Sequence, residues 1–196
     1  MPVHLRASVV ALLLTLLIVG GYHRIGSQRS GEPLDRTKEG WPLLIGIRLT
    51  GLLTIAVTLA SLAKPAWFVW ASYPLPVTAR WVGVAGLAGS VVWLVWMFHT
   101  LGRNLTDTVV TRRDAFFVNH GPYRWVRNPM YTGILLLGIS LGLALTSWLL
   151  PVATGVMFTL LALRTHTEER HLIERLGDQY RSYMQRVGRF LPRLPN

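Results

Sequence analysis

Apolar positions along this chain gather into long runs separated by short polar stretches, and the lengths of those runs predict the elements. About 20 consecutive apolar residues carry a helix across the hydrocarbon of a bilayer. Leu5–Tyr22 has only Arg6 at its edge, Trp41–Ala63 contains Arg48, and Trp81–Leu101 contains His99 but no formal charge. From Asn128 to Leu163 no residue is charged, and Thr146, Ser147 and Trp148 interrupt the middle. That block reads as a hairpin of two short helices, Pro129–Thr146 and Trp148–Leu163. The pattern predicts an all-α integral membrane bundle of five transmembrane helices in a single domain. The first run could instead be a signal peptide flanked by Arg6. IVGGYH offers no small-x-small cleavage site, so a retained helix is expected.

Beyond Leu163 the pattern changes to a helical stripe. Leu172, Ile173, Leu176, Tyr180, Tyr183, Met184 and Val187 fall on one face with charges opposite. Gly177 followed by Asp178 reads as one helix end and a new N-cap. The last membrane helix is therefore expected to run out to about Leu176, followed by a short cytoplasmic amphipathic helix. That helix could lie flat on the membrane or fold back as a lid over a site at the same face. Within the membrane runs, Gly83, Gly86 and Gly89, and the pair Gly138 and Gly142, permit close helix approach. Packing inside one chain is expected there, with a dimer seam as the alternative.

Composition supports the membrane reading. Only 15% of the residues are charged, against about a quarter in a soluble domain. The net charge of +11 would fit a nucleic-acid partner, but its distribution argues against one. Arg24, Arg29, Arg36 and Lys38 occupy the first loop. Arg103, Arg112, Arg113, Arg124 and Arg127 occupy the third. Seven more Arg lie at or beyond Arg164. The alternate segments hold only Arg6, Lys64 and Arg80. Basic residues alternating from loop to loop place the N-terminus outside and the C-terminal segment in the cytoplasm. Their expected partners are anionic lipid headgroups. Arg48, two turns inside the second run, reads as a snorkelling residue or a contact to an acidic headgroup. The chain has no Cys, and its six His form no HExxH, so no metal site is expected.

The chemistry-bearing residues concentrate in GPYRWVRNPMYTG, residues 121–133. Asn128-Pro129 is a helix start, with Asn as N-cap and Pro at the first position. The unpaired N–H groups and partial positive charge of that helix end attract a carboxylate or phosphate. Arg124 and Arg127 add cations, and Tyr123, Trp125 and Tyr131 add surfaces on which a heterocycle can stack. Each also reads as an ordinary interfacial residue. Glu168 and Glu169 follow one turn beyond Arg164. One carboxylate can pair with Arg164 across a turn, and the other is left to bind a cation or hydroxyls. A ligand carrying a carboxylate, a positive centre and an adenine satisfies the whole set, and S-adenosylmethionine has all three.

GPYRWVRNPMYTG, followed by R-x-x-x-E-E-R and L-G-D-Q-Y-R-S-Y-M, resembles the integral-membrane methyltransferases. That group comprises isoprenylcysteine carboxyl methyltransferase, its bacterial relatives and the phospholipid N-methyltransferases. The likeness covers roughly Phe98 to Pro192, so residues 97–196 read as the cofactor-binding and catalytic region, and residues 1–96 add hydropathy alone. Where the isoprenylcysteine branch has Arg-His-Pro, this chain has Arg127-Asn128-Pro129, which is similar to the phosphatidylethanolamine enzymes. The resemblance implies contacts to S-adenosylmethionine from Tyr123, Arg127, Asn128, Tyr131, Glu168 and Glu169, and from the backbone near His120 and Gly121. It also implies an Arg164 that orients the substrate carboxylate, and a contributing Asn104 in the turn of residues 97–107. A carboxylate nucleophile needs no strong base. An amine would need one, and Glu169 or a water could serve. The expected acceptor is lipid-like, most of all the carboxylate of an isoprenylcysteine-type substrate, entering sideways from the bilayer. The alternatives are an ethanolamine lipid, an NADPH-dependent sterol-type reductase and a non-enzymatic scaffold.

Overall fold

The computed structural model describes residues 2–29, 41–102 and 117–193. Its described residues form six α-helices: α1 (Val3–Arg29), α2 (Trp41–Ala63), α3 (Val77–Leu101), α4 (Pro129–Leu145), α5 (Leu149–Leu176) and α6 (Asp178–Arg186). Four of them, α1, α2, α3 and α5, are long and apolar enough to cross a membrane, and α4 is a shorter apolar helix of 17 residues. The chain is a multi-pass membrane protein. Relative to the hydropathy runs, α1 extends seven residues past Tyr22 and α3 begins four residues before Trp81. Helical geometry continues past the apolar edge because its hydrogen bonds run within the helix and need no lipid.

Helix α4 sits at the centre, between α3 and α5, with α1 outside α3 and α2 outside α5. Close approach is built on glycine. A Cβ on Gly83 would lie 2.5 Å from the Ala144 nitrogen, and one on Gly138 would collide with Thr154. Gly142 likewise faces Pro151, so the GxxxG pair packs within the chain. Gly89 departs from the expected seam: nothing lies within 4 Å of the position of its Cβ. Leu5, Val9, Val57, Leu62, Val84, Leu87, Leu141, Ala144 and Leu150 form one buried cluster, drawing on all five long helices at the end where α4 finishes. Leu5 and Val9 are fully enclosed in it, which makes α1 part of the core. Leu49, Leu52, Leu53 and Leu59 of α2 are exposed in the direction that lipid fills.

The α4–α5 turn is sealed by the segment after α2. Tyr73 donates its N–H to Thr146 and its hydroxyl to the Gly142 carbonyl, at 3.2 and 3.1 Å. Arg80 donates to the Ala144 carbonyl at 3.1 Å. This closed end leaves the opposite end, where α3 and α5 finish and α4 begins, to carry the polar cluster.

Candidate active site

The site begins where α3 ends. Gly121 adopts φ +58° and its missing Cβ would stand 2.5 Å from Thr100 Oγ1, so the 3-10 turn Gly121–Arg124 lies directly on the last turn of α3. Only glycine combines that backbone with that contact. Trp125 then stacks on Trp93 at 6.1 Å and meets Trp96 edge-on at 5.3 Å. The Trp93 indole donates to the Pro129 carbonyl at 2.8 Å, fixing the start of α4 against α3. Arg124 lies over the Trp125 ring at the surface, 5.0 Å from its centroid. Arg124 and Trp125 thus join an interfacial aromatic patch with Trp93 and Trp96, the second of the two readings given above. His120 is exposed, and its carbonyl accepts the Tyr123 N–H at 3.2 Å.

Asn128 does not cap α4 with its side chain. Its amide donates to the Arg189 carbonyl at 3.2 Å, and its backbone N–H goes to the same oxygen at 3.1 Å. The Arg127 N–H bonds the Gly188 carbonyl at 2.8 Å, and the Thr132 hydroxyl bonds that of Phe190 at 2.8 Å. A strap of residues 187–190 therefore takes the N–H groups of the two residues that lead into α4, together with the side chains of Asn128 and Thr132. Upstream of the strap, α6 folds back. Gly177 turns the chain at φ +57°, and Asp178 pairs with Arg181 in the first turn of α6, where a cap was expected. Tyr180, Tyr183 and Val187 are buried against Phe117, Leu172, Ile173 and Leu176, as the stripe required. The Tyr183 hydroxyl donates to the Tyr123 carbonyl at 2.5 Å.

Consecutive helical residues point about 100° apart, and this separates the two acidic residues of α5. Glu168 faces α4: Tyr131 donates to both its oxygens, at 2.8 and 2.9 Å, and the Arg164 guanidinium lies 3.1 Å away. Glu169 faces the strap. Arg127 approaches it at 2.9 Å and Arg189 at 2.6 Å, one guanidinium for each oxygen. The Glu169 side chain is 6% exposed, against 19% for Glu168. The carboxylate expected to remain available is thus closed off by two cations, and its expected roles as base and cofactor ligand meet this geometry: no oxygen of Glu169 lacks a guanidinium. Arg127 also donates to the carbonyls of Met184 and Val187.

Burial raises the Tyr123 phenol above its ordinary range, and the neighbouring Tyr183 and Glu168 add to the shift. Burial likewise raises Tyr180, with Glu169 adding to it, and pushes Tyr183 up to about 12. These hydroxyls are neutral hydrogen-bonding groups at physiological pH.

The structure brings Tyr123, Arg127, Asn128, Tyr131, Arg164, Glu168 and Glu169 together at one end of the bundle, with His120 and Gly121 on the adjoining turn. Asn104 lies outside the described residues. Sequence reasoning missed Arg189 and the strap. Arg189 is one of seven arginines in the C-terminal quarter, and composition does not distinguish it from the rest. Its one signal is the glycine before it: a Cβ on Gly188 would collide with the Leu191 carbonyl, marking a tight bend.

The chain is thus a helical membrane bundle with a buried, charge-paired site at the mouth of its central helices. The model of the family "Phospholipid methyltransferase" matches residues 78–179, just over half of the chain, and the chain belongs to that family. It is similar to a methanethiol S-methyltransferase from Pseudomonas sp. (strain GM41(2012)), 27% identical over 211 residues, which cover 96% of this chain and 74% of that protein. It is also similar to a protein-S-isoprenylcysteine O-methyltransferase from Tribolium castaneum, 32% identical over 96 residues, which cover 47% of this chain and 34% of that enzyme. Against three isoprenylcysteine enzymes the chain spans between a third and just over half of their length. The solved eukaryotic intramembrane Ras methyltransferase, isoprenylcysteine carboxyl methyltransferase, shares the fold with a TM-score of 0.54 at 24% identity, over 74% of this chain and 51% of that one.

Proposed function

We propose that this chain transfers a methyl group from S-adenosylmethionine to a hydrophobic acceptor drawn from the membrane, with an isoprenylcysteine-type carboxylate as the first acceptor. The observation that carries the reading is the Tyr131–Glu168–Arg164 network at the junction of α4 and α5, beside Tyr123. The residues fit the donor. Arg127, Arg164 and Arg189 outnumber Glu168 and Glu169 by one, so the cluster as a whole carries a single net positive charge, which suits an acceptor carboxylate. Glu168, the more accessible acid, has lone pairs to accept from ribose hydroxyls or the amino group. When bound, the donor would supply a sulfonium methyl, whose carbon bonds to an in-line nucleophile as the C–S bond breaks and the neutral thioether leaves.

The protein's part is positioning and exclusion of water. Arg164 holds the acceptor carboxylate, and the rings of Tyr123 and Tyr131 wall the reacting centre. Both acidic residues are matched to guanidinium, and a carboxylate nucleophile needs no base. An ethanolamine amine would, so that acceptor fits this charge pattern least well. A small thiol is the second reading, favoured by similarity to the methanethiol enzyme along nearly the whole chain. A net positive site favours its thiolate.

In the same reading α4 completes a fifth crossing. Its 17 residues span about 25 Å, close to the roughly 30 Å of hydrocarbon. The distribution of basic segments supports a site at the cytoplasmic face, with α6 as its cover and an acceptor that enters sideways from the inner leaflet.

Membranes containing the protein, supplied with labelled methyl donor and then separately with an isoprenylcysteine analogue, a small thiol and an ethanolamine lipid, test this. Label in the carboxylate or thiol product supports it. Saturable binding of NADPH with none of the methyl donor would replace it by the reductase reading, and binding of neither would leave a scaffold.

A further inference from the structure

Resting on the donor-binding reading above, we propose that Arg189 is a positioning residue and that Glu169 acts as its internal counter-ion, without contacting the donor or the acceptor. Glu169 holds one guanidinium on each oxygen: Arg127 on Oε1 at 2.9 Å and Arg189 on Oε2 at 2.6 Å. Arg189 also reaches Oε1 at 3.3 Å. The three charges come from the turn before α4, from α5 and from the strap. Arg127 and Glu169 are 42 residues apart in sequence, and Arg189 and Glu169 are 20 apart. Each arginine also anchors backbone. The Arg127 guanidinium holds the Met184 and Val187 carbonyls, and the Arg189 carbonyl takes both donors of Asn128.

Glu169 adjoins Glu168, and Asn128 begins the turn that presents Tyr131 to Glu168. A shift of the strap therefore moves the accessible carboxylate and its phenol partner together. The cluster couples the C-terminal strap to donor-binding geometry. It also explains two adjacent acids with unlike environments, one facing the ligand and one facing the scaffold.

The test is donor affinity by calorimetry on purified protein for Arg189→Ala, Glu169→Gln, their double variant and Arg189→Lys. Binding by the wild type is measured first, and its absence would overturn the methyltransferase reading itself. Given wild-type binding, Arg189→Ala is expected to weaken the donor roughly tenfold, the order that a buried acceptor left half-satisfied implies. The double variant should then be no weaker than the worse single one, because both remove the same link. Arg189→Lys should recover part of the affinity while KM for the acceptor stays unchanged. Arg186→Ala, an exposed arginine bonded only within α6, should bind as the wild type does. Additive losses in the double variant would make Glu169 a donor ligand in its own right and overturn the proposal. So would wild-type affinity in Arg189→Ala, or a matched rise in acceptor KM. If Arg189→Ala does not fold, the comparison of Arg189→Lys with Glu169→Gln decides: the proposal requires weakened donor binding in both.

Discussion

The Tyr131 hydroxyl bridges both oxygens of Glu168, at 2.8 and 2.9 Å, and so joins the first turn of α4 to the last third of α5. The bond orients a carboxylate already paired with Arg164. Tyr131→Phe retains the ring and removes the bridge. Donor affinity should fall roughly tenfold, since a hydrogen bond to a charged group contributes about 1.5–3 kcal/mol. Circular dichroism should show unchanged helix content, and calorimetry reads the affinity.

Removing the cation from the same network has a different signature. Arg164→Ala removes a guanidinium from Glu168 in a largely buried position. Breaking a buried pair from one side costs about 3–5 kcal/mol, and the partial exposure of Glu168 places this case at the lower end. Thermal unfolding in detergent should shift downward, and Arg164→Ala/Glu168→Gln should recover part of the loss. No recovery would show that Arg164 acts chiefly through contacts other than this pair.

Packing of the central helix can be probed away from the chemistry. Gly138 lies against Thr154, and any side chain there must displace it. Gly138→Leu should lower stability by about 1–3 kcal/mol or more, as overpacked cores do. Gly89→Ala, with open space at its Cβ, should leave the unfolding midpoint nearly unchanged. Equal effects at the two positions would contradict the α4–α5 contact described here.

Alkaline pH should loosen the α6 cover. Tyr183 has a folded pKa of about 12, raised from an ordinary 10 by burial, and Tyr123 and Tyr180 are raised as well. A raised folded pKa means that the unfolded chain loses its protons first. The contribution to stability is therefore full below pH 10 and falls away as pH rises towards 12. Tyrosinate absorbance during an alkaline titration should show a late component, and Tyr183→Phe should reduce it. A titration complete by the ordinary phenol range would remove the basis for a buried α6.

Much of the architecture was written into local pattern. Trp41–Ala63 is a helix with the boundaries its hydropathy run predicts, and α5 ends at Leu176 where Gly177 can turn the chain. The stripe through Tyr180, Tyr183 and Val187 is buried because helical periodicity puts those residues on one face. The residues gathered at the site were also legible as types: two tyrosines, two acids, Arg127 and Arg164.

What the sequence determined by itself was the set of helices, their apolar faces and the chemical groups at one end of the bundle. These follow from spacing within a few turns, and neighbouring residues alone enforce it. The partner of each charge was settled only by tertiary structure. Asn128 could cap its own helix or bind Arg189 61 residues away, and Glu169 could face a ligand or two arginines. Local rules allow both, because a buried charge needs compensation but does not specify from where. The fold-back of α6 decides it, by bringing the strap and Arg189 within hydrogen-bonding distance of Asn128 and Glu169.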